Sequence, residues 1–524
     1  MNSHMNKSGF NDWESPAAGE LVFPPIARIV AVCLAAVIVL ALIKPLILGS
    51  GMPRLLPLFA SIVSVVSLGA AGIKRDASAS LMRVGFHAGL FAFFLSFPVI
   101  SPDDLDPNIP DDVHWATGWV LLLTLAGFEV AYSLRMRTRR KPNQKPMWVV
   151  IRPYDQRWLC SAMCIGLLAW AITVWDYARS ANASLSQVIL TMRGPIEGAT
   201  VEPVTSLGAF GYLFGMGISA AGVAASILVT AFGARISKSL KAASWSVILT
   251  CAAIGFLRGS RAVFLYSFVP LAATCWTLFQ QRRTNRSIRW LWFGAATGLV
   301  IVAWSAIAAM RGADIRAYEG GWEHISPVIQ ARGAFDIYSA LAVIVKAFPE
   351  QIEFEHGYSL VPLALGWVPR TVWPEKPYPF SLYASLINGE TLEVRKASIA
   401  VGLPGEGYGN FGLAGALVWG ALMGLACRKG DDYINGLRHG HPLCLHLAGF
   451  AGIWAAMIVR GGVPEMFYMG LNVIAIPVLM SLYLARRGRA RYGRSAAGFV
   501  EPARTRIPVP ETPVPETCAR AGDM

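Results

Sequence analysis

LGAFGYLFGMGISAAGVAASILVTAF, residues Leu207–Phe232, contains no charged side chain. As a helix it rises about 39 Å, more than the roughly 30 Å of hydrocarbon in a bilayer. Its apolar residues do not alternate with polar ones, so it does not read as a barrel strand. Backbone groups left without partners in lipid are too costly to keep, which leaves an α-helix as the reading.

Working outward, similar runs recur along the chain. Five precede it, at Ile26–Ile43, Leu55–Ile73, Val84–Ile100, Val113–Leu134 and Trp158–Trp175. Six follow, at Ala242–Leu257, Ala262–Phe279, Trp290–Met310, Phe411–Cys427, Pro442–Val459 and Met466–Ala485. Composition agrees: 54% of the 524 residues are hydrophobic and only 15% charged, which excludes a single soluble core. The expected fold is all-α, a polytopic membrane protein of about twelve transmembrane helices with one large outer loop containing short helices. The expected organisation is an N-terminal segment at 1–25, nine helices in 26–310, the loop at 311–410, three helices in 411–485 and a basic, Pro-rich tail at 486–524.

Orientation follows from the Lys and Arg of short connections, which concentrate on the cytoplasmic side. Basic residues follow the second span (Lys74, Arg75, Arg83), the fourth (Arg135 to Arg157), the sixth (Arg235, Lys238, Lys241), the eighth (Arg282 to Arg289), the tenth (Arg428, Lys429, Arg438) and the last (Arg486 to Arg494). Even-numbered spans therefore end inside, and both termini are expected in the cytoplasm. The loop Ser101–Asp112 carries five aspartates and no Lys or Arg, so it faces outward. The net charge of +14 is then topological and directed at anionic lipid, with no nucleic-acid partner implied. Membrane lipids are the expected surroundings.

The eight cysteines lie in or beside apolar runs, apart from Cys518 in the tail, and form no disulfide framework. Cys160 and Cys164 stand one turn apart without a neighbouring His or carboxylate and read as packing residues, so neither a metal nor another cofactor is expected. The polar stretch before Ile26 holds Asp12, Glu14 and Glu20 and reads as a cytoplasmic leader. The repeated ProValProGluThr of the tail reads as extended and disordered.

Candidate chemistry gathers on the outside. The 311–410 loop exceeds ordinary loop lengths and must have its own structure. Within it, Phe335–Phe348 and Leu360–Val368 are expected to lie as helices at the membrane surface. The loop carries Arg311, Arg316, Arg332, Lys346, Arg370, Lys376, Arg395 and Lys396. These either pair with its many carboxylates or bind an anionic ligand.

A tight outer turn holds Arg258 and Arg261, next to a seventh apolar run of only about 24 Å. That shortfall would pull Arg258 below the surface, where it would be a functional candidate or an arginine snorkelling to the interface. At Gly405–Gly412, GEGYGNFG leads into the tenth span. Gly405 and Gly407, with Glu406 and Tyr408, would let a phosphate approach a helix N-terminus, or would simply pack helices closely. Arg460 adds a cation at the outer end of the eleventh span.

Together these features suit a membrane-anchored phosphate ester, best a lipid diphosphate with its tail between spans. Glycosyl transfer from such a donor needs cations for the departing diphosphate and a base for the attacking hydroxyl. The outside candidates for the base are His324, His356, Glu323, Asp336 and Glu406, with the two histidines leading.

The many-span plan, the outer loop in the second half, PRTVWPEKP at Pro369–Pro377 and GEGYGNFGLAG at Gly405–Gly415 resemble the oligosaccharide repeat unit polymerases, the Wzy-type O-antigen polymerases of bacterial envelopes. That resemblance implies a GT-C-like, metal-independent, inverting enzyme of the inner membrane. Its substrate would be an undecaprenyl-diphosphate-linked oligosaccharide, and its partners a flippase and a chain-length regulator of the same pathway. The family's periplasmic arginines would correspond to Arg258, Arg261, Arg311 and Arg370. The related O-antigen ligases would be suited by Arg261 and His356, and a flippase for the same lipid-linked sugars is the alternative of a different class.

Overall fold

The computed structural model describes residues 80–96, 109–134, 155–180, 217–233, 235–257, 261–281, 337–365, 400–436 and 442–464, with shorter stretches within 56–66, 368–380 and 467–483. Among them 88% are helical and none lies in a strand, so the described part of the protein is all-α.

Helix α1, Leu81–Leu90, continues into a π turn at Phe91–Leu95. Then come α2 (Asp111–Ser133), α3 (Asp155–Ser180), α4 (Gly217–Phe232), α5 (Lys238–Leu257) and α6 (Arg261–Gln281). The second half gives α7 (Tyr338–Ala347), a 3-10 turn at Tyr358–Leu360, α8 (Val361–Leu365), α9 (Gly402–Gly436) and α10 (Pro442–Arg460). Five described segments are long and apolar enough to cross a bilayer: Asp111–Ser133, Gln156–Asp176, Lys238–Phe256, Gly402–Asn435 and Leu443–Arg460. The first and ninth expected spans fall almost wholly outside the described residues.

Local chemistry accounts for the boundaries. At the start of α2, Pro110 is extended at φ −63 and ψ 155, and Asp111 and Asp112 meet the positive end of the helix dipole. Helix α5 begins four residues before its apolar run, at Lys238, and so gains a turn whose ammonium groups are exposed. At 20 residues it rises about 30 Å. The apolar run from Ala242 still accounts for about 24 Å of that rise, and Arg258 itself lies outside the described residues.

Two groups of helices pack together. In one, α2 lies along α9 and α1 along α10; in the other, α3, α5 and α6 each pack on α4, and α5 also on α6; α6 and α4 join the groups through α10. The α2–α9 seam is backbone against backbone. A methyl on Gly420 would stand 2.0 Å from the Thr124 carbonyl oxygen, and one on Gly424 2.3 Å from that of Phe128. This is the small-xxx-small device, used in lipid because apolar attraction between helices is weak there.

Residues 124 and 128 meet 420 and 424 in the same order, so α2 and α9 run parallel. Gly85 against Gly452 and Gly89 against Ala456 make α1 and α10 parallel too. Parallel packing of pairs that share a direction is what the alternation inferred from Lys and Arg requires.

One expectation is corrected. The stretch expected as a surface helix at Phe335–Phe348 is α7, and it lies inside, with Tyr338, Leu341, Ala342 and Ile344 fully buried against α2 and α9. Its buried face is wide and apolar, with Ser339 and Lys346 on the half-buried side, so it gains more from the bundle than from an interface.

Gly420→Ala is expected to destabilise the detergent-solubilised protein by about 1–3 kcal/mol through overpacking, whereas Leu422→Ala on the exposed side should stay within about 0.5 kcal/mol. Thermal unfolding of the two variants measures the difference.

Candidate functional site

Helix α9 is two helices. Phe411, at φ −143 and ψ 19, and Gly412, at φ 64 and ψ −150, break it. The Gly412 pair of angles is one that only glycine enters at low cost. The short arm, 402–410, folds back so closely that a methyl on Gly415 would stand 2.0 Å from the Gly407 carbonyl oxygen. GEGYGNFG is thus not a loop before a helix. It is a buried helical arm, and its Gly407 serves close packing against Gly415 and Trp419.

The break frees the carbonyls of the arm's last turn, and these need donors. The 354–357 segment supplies them. The Glu355 N–H donates to Gly409 O at 3.0 Å and the His356 N–H to Asn410 O at 3.1 Å. The Gly357 N–H donates to Asn410 Oδ1 at 2.9 Å. Asn410 is fully buried; its Nδ2 donates to Glu406 O at 2.7 Å, and its amide exchanges hydrogen bonds with the Ser359 hydroxyl.

The docked segment is itself unusual. Tyr358 N–H donates to Glu355 O at 2.8 Å across His356 at φ 47 and Gly357 at φ 89, ψ 1. These are the angles of a type I′ turn, whose first central position favours Asn, Asp or Gly. An L side chain there costs roughly 1–2 kcal/mol. His356 occupies it with its imidazole exposed.

The other described candidates fall around this arm. Glu406 is fully buried, and its carboxylate accepts the Val463 N–H just beyond α10, so it faces protein where substrate contact was expected. Tyr408 is buried and donates its hydroxyl to Phe348 O at 3.1 Å, and Gly405 packs against Val401 and Leu341. Arg460 holds its guanidinium 5.6 Å above the Phe93 ring, while Phe93 O, displaced by the π turn, accepts the Ile337 N–H at 3.2 Å. Lys376 donates from Nζ to Val368 O at 3.0 Å, closing the Pro369–Pro377 stretch on itself.

The structure therefore gathers Glu406, Gly405, Gly407 and Tyr408 on one arm, with His356 on the segment docked to its end and Arg460 at the neighbouring helix end. Arg258, Arg311, Arg370, His324, Glu323 and Asp336 lie outside the described residues. Arg261 opens α6, and its side chain is outside them as well.

Two features escaped sequence reasoning. One is Asn410, hidden inside a glycine motif. The other is a polar network at the far end of the bundle. There Asp431 accepts the Met82 N–H at 3.0 Å, the Arg83 N–H at 3.4 Å and the Tyr132 hydroxyl at 2.8 Å. Glu129 lies between the Arg83 guanidinium and His87, whose Nε2 is 2.6 Å away. The available signal was a carboxylate inside each of two apolar helices.

Compared with protein-family models, curated proteins and solved structures, the chain matches none. The functional reading rests on its own residues.

Burial raises the Glu355 carboxyl above its ordinary 4.5. The folded state then holds that proton more tightly than the unfolded one, so the contribution to stability is present below about pH 4.5 and lost as pH rises through the raised value. Glu355→Gln should accordingly raise the melting temperature at neutral pH, and the gain should vanish near pH 4 in a series of melts.

Proposed function

We propose that this chain is a multi-pass inner-membrane glycosyltransferase that polymerises undecaprenyl-diphosphate-linked oligosaccharide repeat units at the periplasmic face, for O-antigen, capsule or exopolysaccharide. The reading includes about twelve spans, cytoplasmic termini and a periplasmic 311–410 loop. It follows from the resemblance carried by Pro369–Pro377 and Gly405–Gly415, and one observation supports it above the rest. An exposed histidine, His356, is kept in a costly left-handed turn beside a break in a membrane helix. Strain of that kind persists where surrounding structure enforces it and is concentrated at sites of chemistry.

The proposed step is a displacement. The acceptor hydroxyl oxygen attacks the anomeric carbon of the donor, the bond from that carbon to the diphosphate oxygen breaks, and its electron pair leaves on the diphosphate. The hydroxyl proton passes to His356. Arg258, Arg261, Arg311 and Arg370 are the cations proposed to receive the diphosphate charge, with Arg460 at the rim. The helix restarting at 413 directs the positive end of its dipole toward the break, where it adds to the positive potential. A chain-length regulator and a flippase are the proposed partners.

Ligation of finished chains uses the same chemistry with another acceptor. Transport is supported by a separate observation, the Arg83–Glu129–His87 network, because ionisable groups inside membrane helices commonly mark translocation paths. Surface glycan on a gel separates the three. Deletion of a polymerase leaves one repeat unit attached, deletion of a ligase leaves chains without acceptor, and deletion of a flippase leaves neither. The single-unit pattern is expected.

In the same assay Arg261→Ala should collapse the chain-length distribution, as removal of one charge-stabilising donor slows a displacement by about 10²–10³. A stably inserted Arg261→Ala protein with full-length chains would remove Arg261 from the site.

A further inference from the structure

We infer that Asn410 is a positioning residue for His356, so that the arm of the broken helix sets where the proposed base stands. This rests on the reading of His356 as the group that takes the acceptor's proton.

Three observations carry it. The turn holding His356 is attached through main-chain atoms on either side: Glu355 to Gly409 O, His356 to Asn410 O and Gly357 to Asn410 Oδ1. Two of these three bonds end on Asn410. Its own amide is fixed by Glu406 O and Ser359 Oγ, and it is fully buried. No side chain in the turn needs Asn410; what it determines is the backbone on which the imidazole is mounted. A left-handed residue projects its side chain in a direction that right-handed backbone cannot offer. If only the backbone shape mattered, asparagine or glycine at 356 would achieve it at less cost. The side chain that pays this conformational cost is an imidazole, the group suited to proton transfer near neutral pH.

The geometry also relates the arm to the reaction. Asn410 is the last helical residue before the break, and Phe411, the break residue, lies against Gly357, where an added methyl would stand 3.3 Å from its Cζ. Movement of the arm relative to the main helix would therefore move His356.

The test uses the full-length chain in a deletion strain, with polymerisation measured in membrane vesicles supplied with the strain's own lipid-linked repeat units. Asn410→Ala removes the hub. Gly357→Ala disturbs the same turn from outside, and so serves should Asn410→Ala fail to insert. Each is expected to slow polymerisation about a hundredfold, as displacement of a catalytic group by about 1 Å does, and to displace the acid limb of the pH profile. Neither should add a further loss in a His356→Gly background. Equal losses with and without His356, or full activity in His356→Gly, would overturn the inference.

A second readout does not need the glycan. Carbethoxylation of His356 by diethyl pyrocarbonate, followed by mass spectrometry on the purified chain across pH, should change in rate severalfold in both variants. Unchanged labelling overturns the inference. A deletion strain with normal glycan and altered labelling would sink the proposed function while sustaining the positioning.

Discussion

Every backbone polar group buried among membrane helices must find a partner within the protein, and the broken helix α9 concentrates that demand at one point. Breaking it at Phe411–Gly412 would strand the carbonyls of Gly409 and Asn410. The 354–357 segment meets them with its own N–H groups, which fixes that segment's register and forces the left-handed backbone of His356. The glycines of the arm then allow it to fold back, and the arm's Glu406 accepts the Val463 N–H that follows α10. The arrangement at this end of the bundle follows from answering one break.

The far end solves a similar problem with charge. Helix α1 starts without a capping side chain of its own; Asp431 of α9 accepts its first N–H groups. A carboxylate so deeply buried is costly unless hydrogen-bonded, and Tyr132 of α2 adds a third donor. Three helices distant in sequence are thus tied at their ends by one side chain. The Arg83–Glu129–His87 chain ties α1 to α2 a turn further along. Removing one member would leave its partners, buried or partly buried, short of a hydrogen bond, which is why such networks act as a unit.

The helices were legible because lipid makes length and apolarity nearly sufficient evidence: Val113–Leu134 and Pro442–Val459 emerge within two residues of their expected limits. The parallel packing of α2 and α9 at Gly127, Gly420 and Gly424 is compatible with the directions expected from Arg and Lys. The interior of α9 was not. Its glycines fit both a phosphate-binding turn and close packing, and the choice depended on a partner segment fifty residues upstream. Helix α5 was misjudged at its start because hydropathy counts a lysine as polar throughout, whereas the stems of Lys238 and Lys241 continue the helix while their ammonium groups stay in water. His356 was visible as a residue type; the positive φ that distinguishes it was not.

The seam between α2 and α9 joins residues 111–133 to residues 402–436 across nearly three hundred positions of chain. During synthesis, the face of α2 that will receive Gly420 and Gly424 must therefore wait in the bilayer while all the intervening helices insert. Its Thr124 and Phe128 carbonyls are already satisfied within α2, so around them the waiting face exposes mainly apolar surface and small residues, which lipid tolerates, and the Tyr132 hydroxyl finds its Asp431 partner only on docking. Maturation of the protein is then a late docking event, in which the final third of the chain locks helices that entered the membrane long before it.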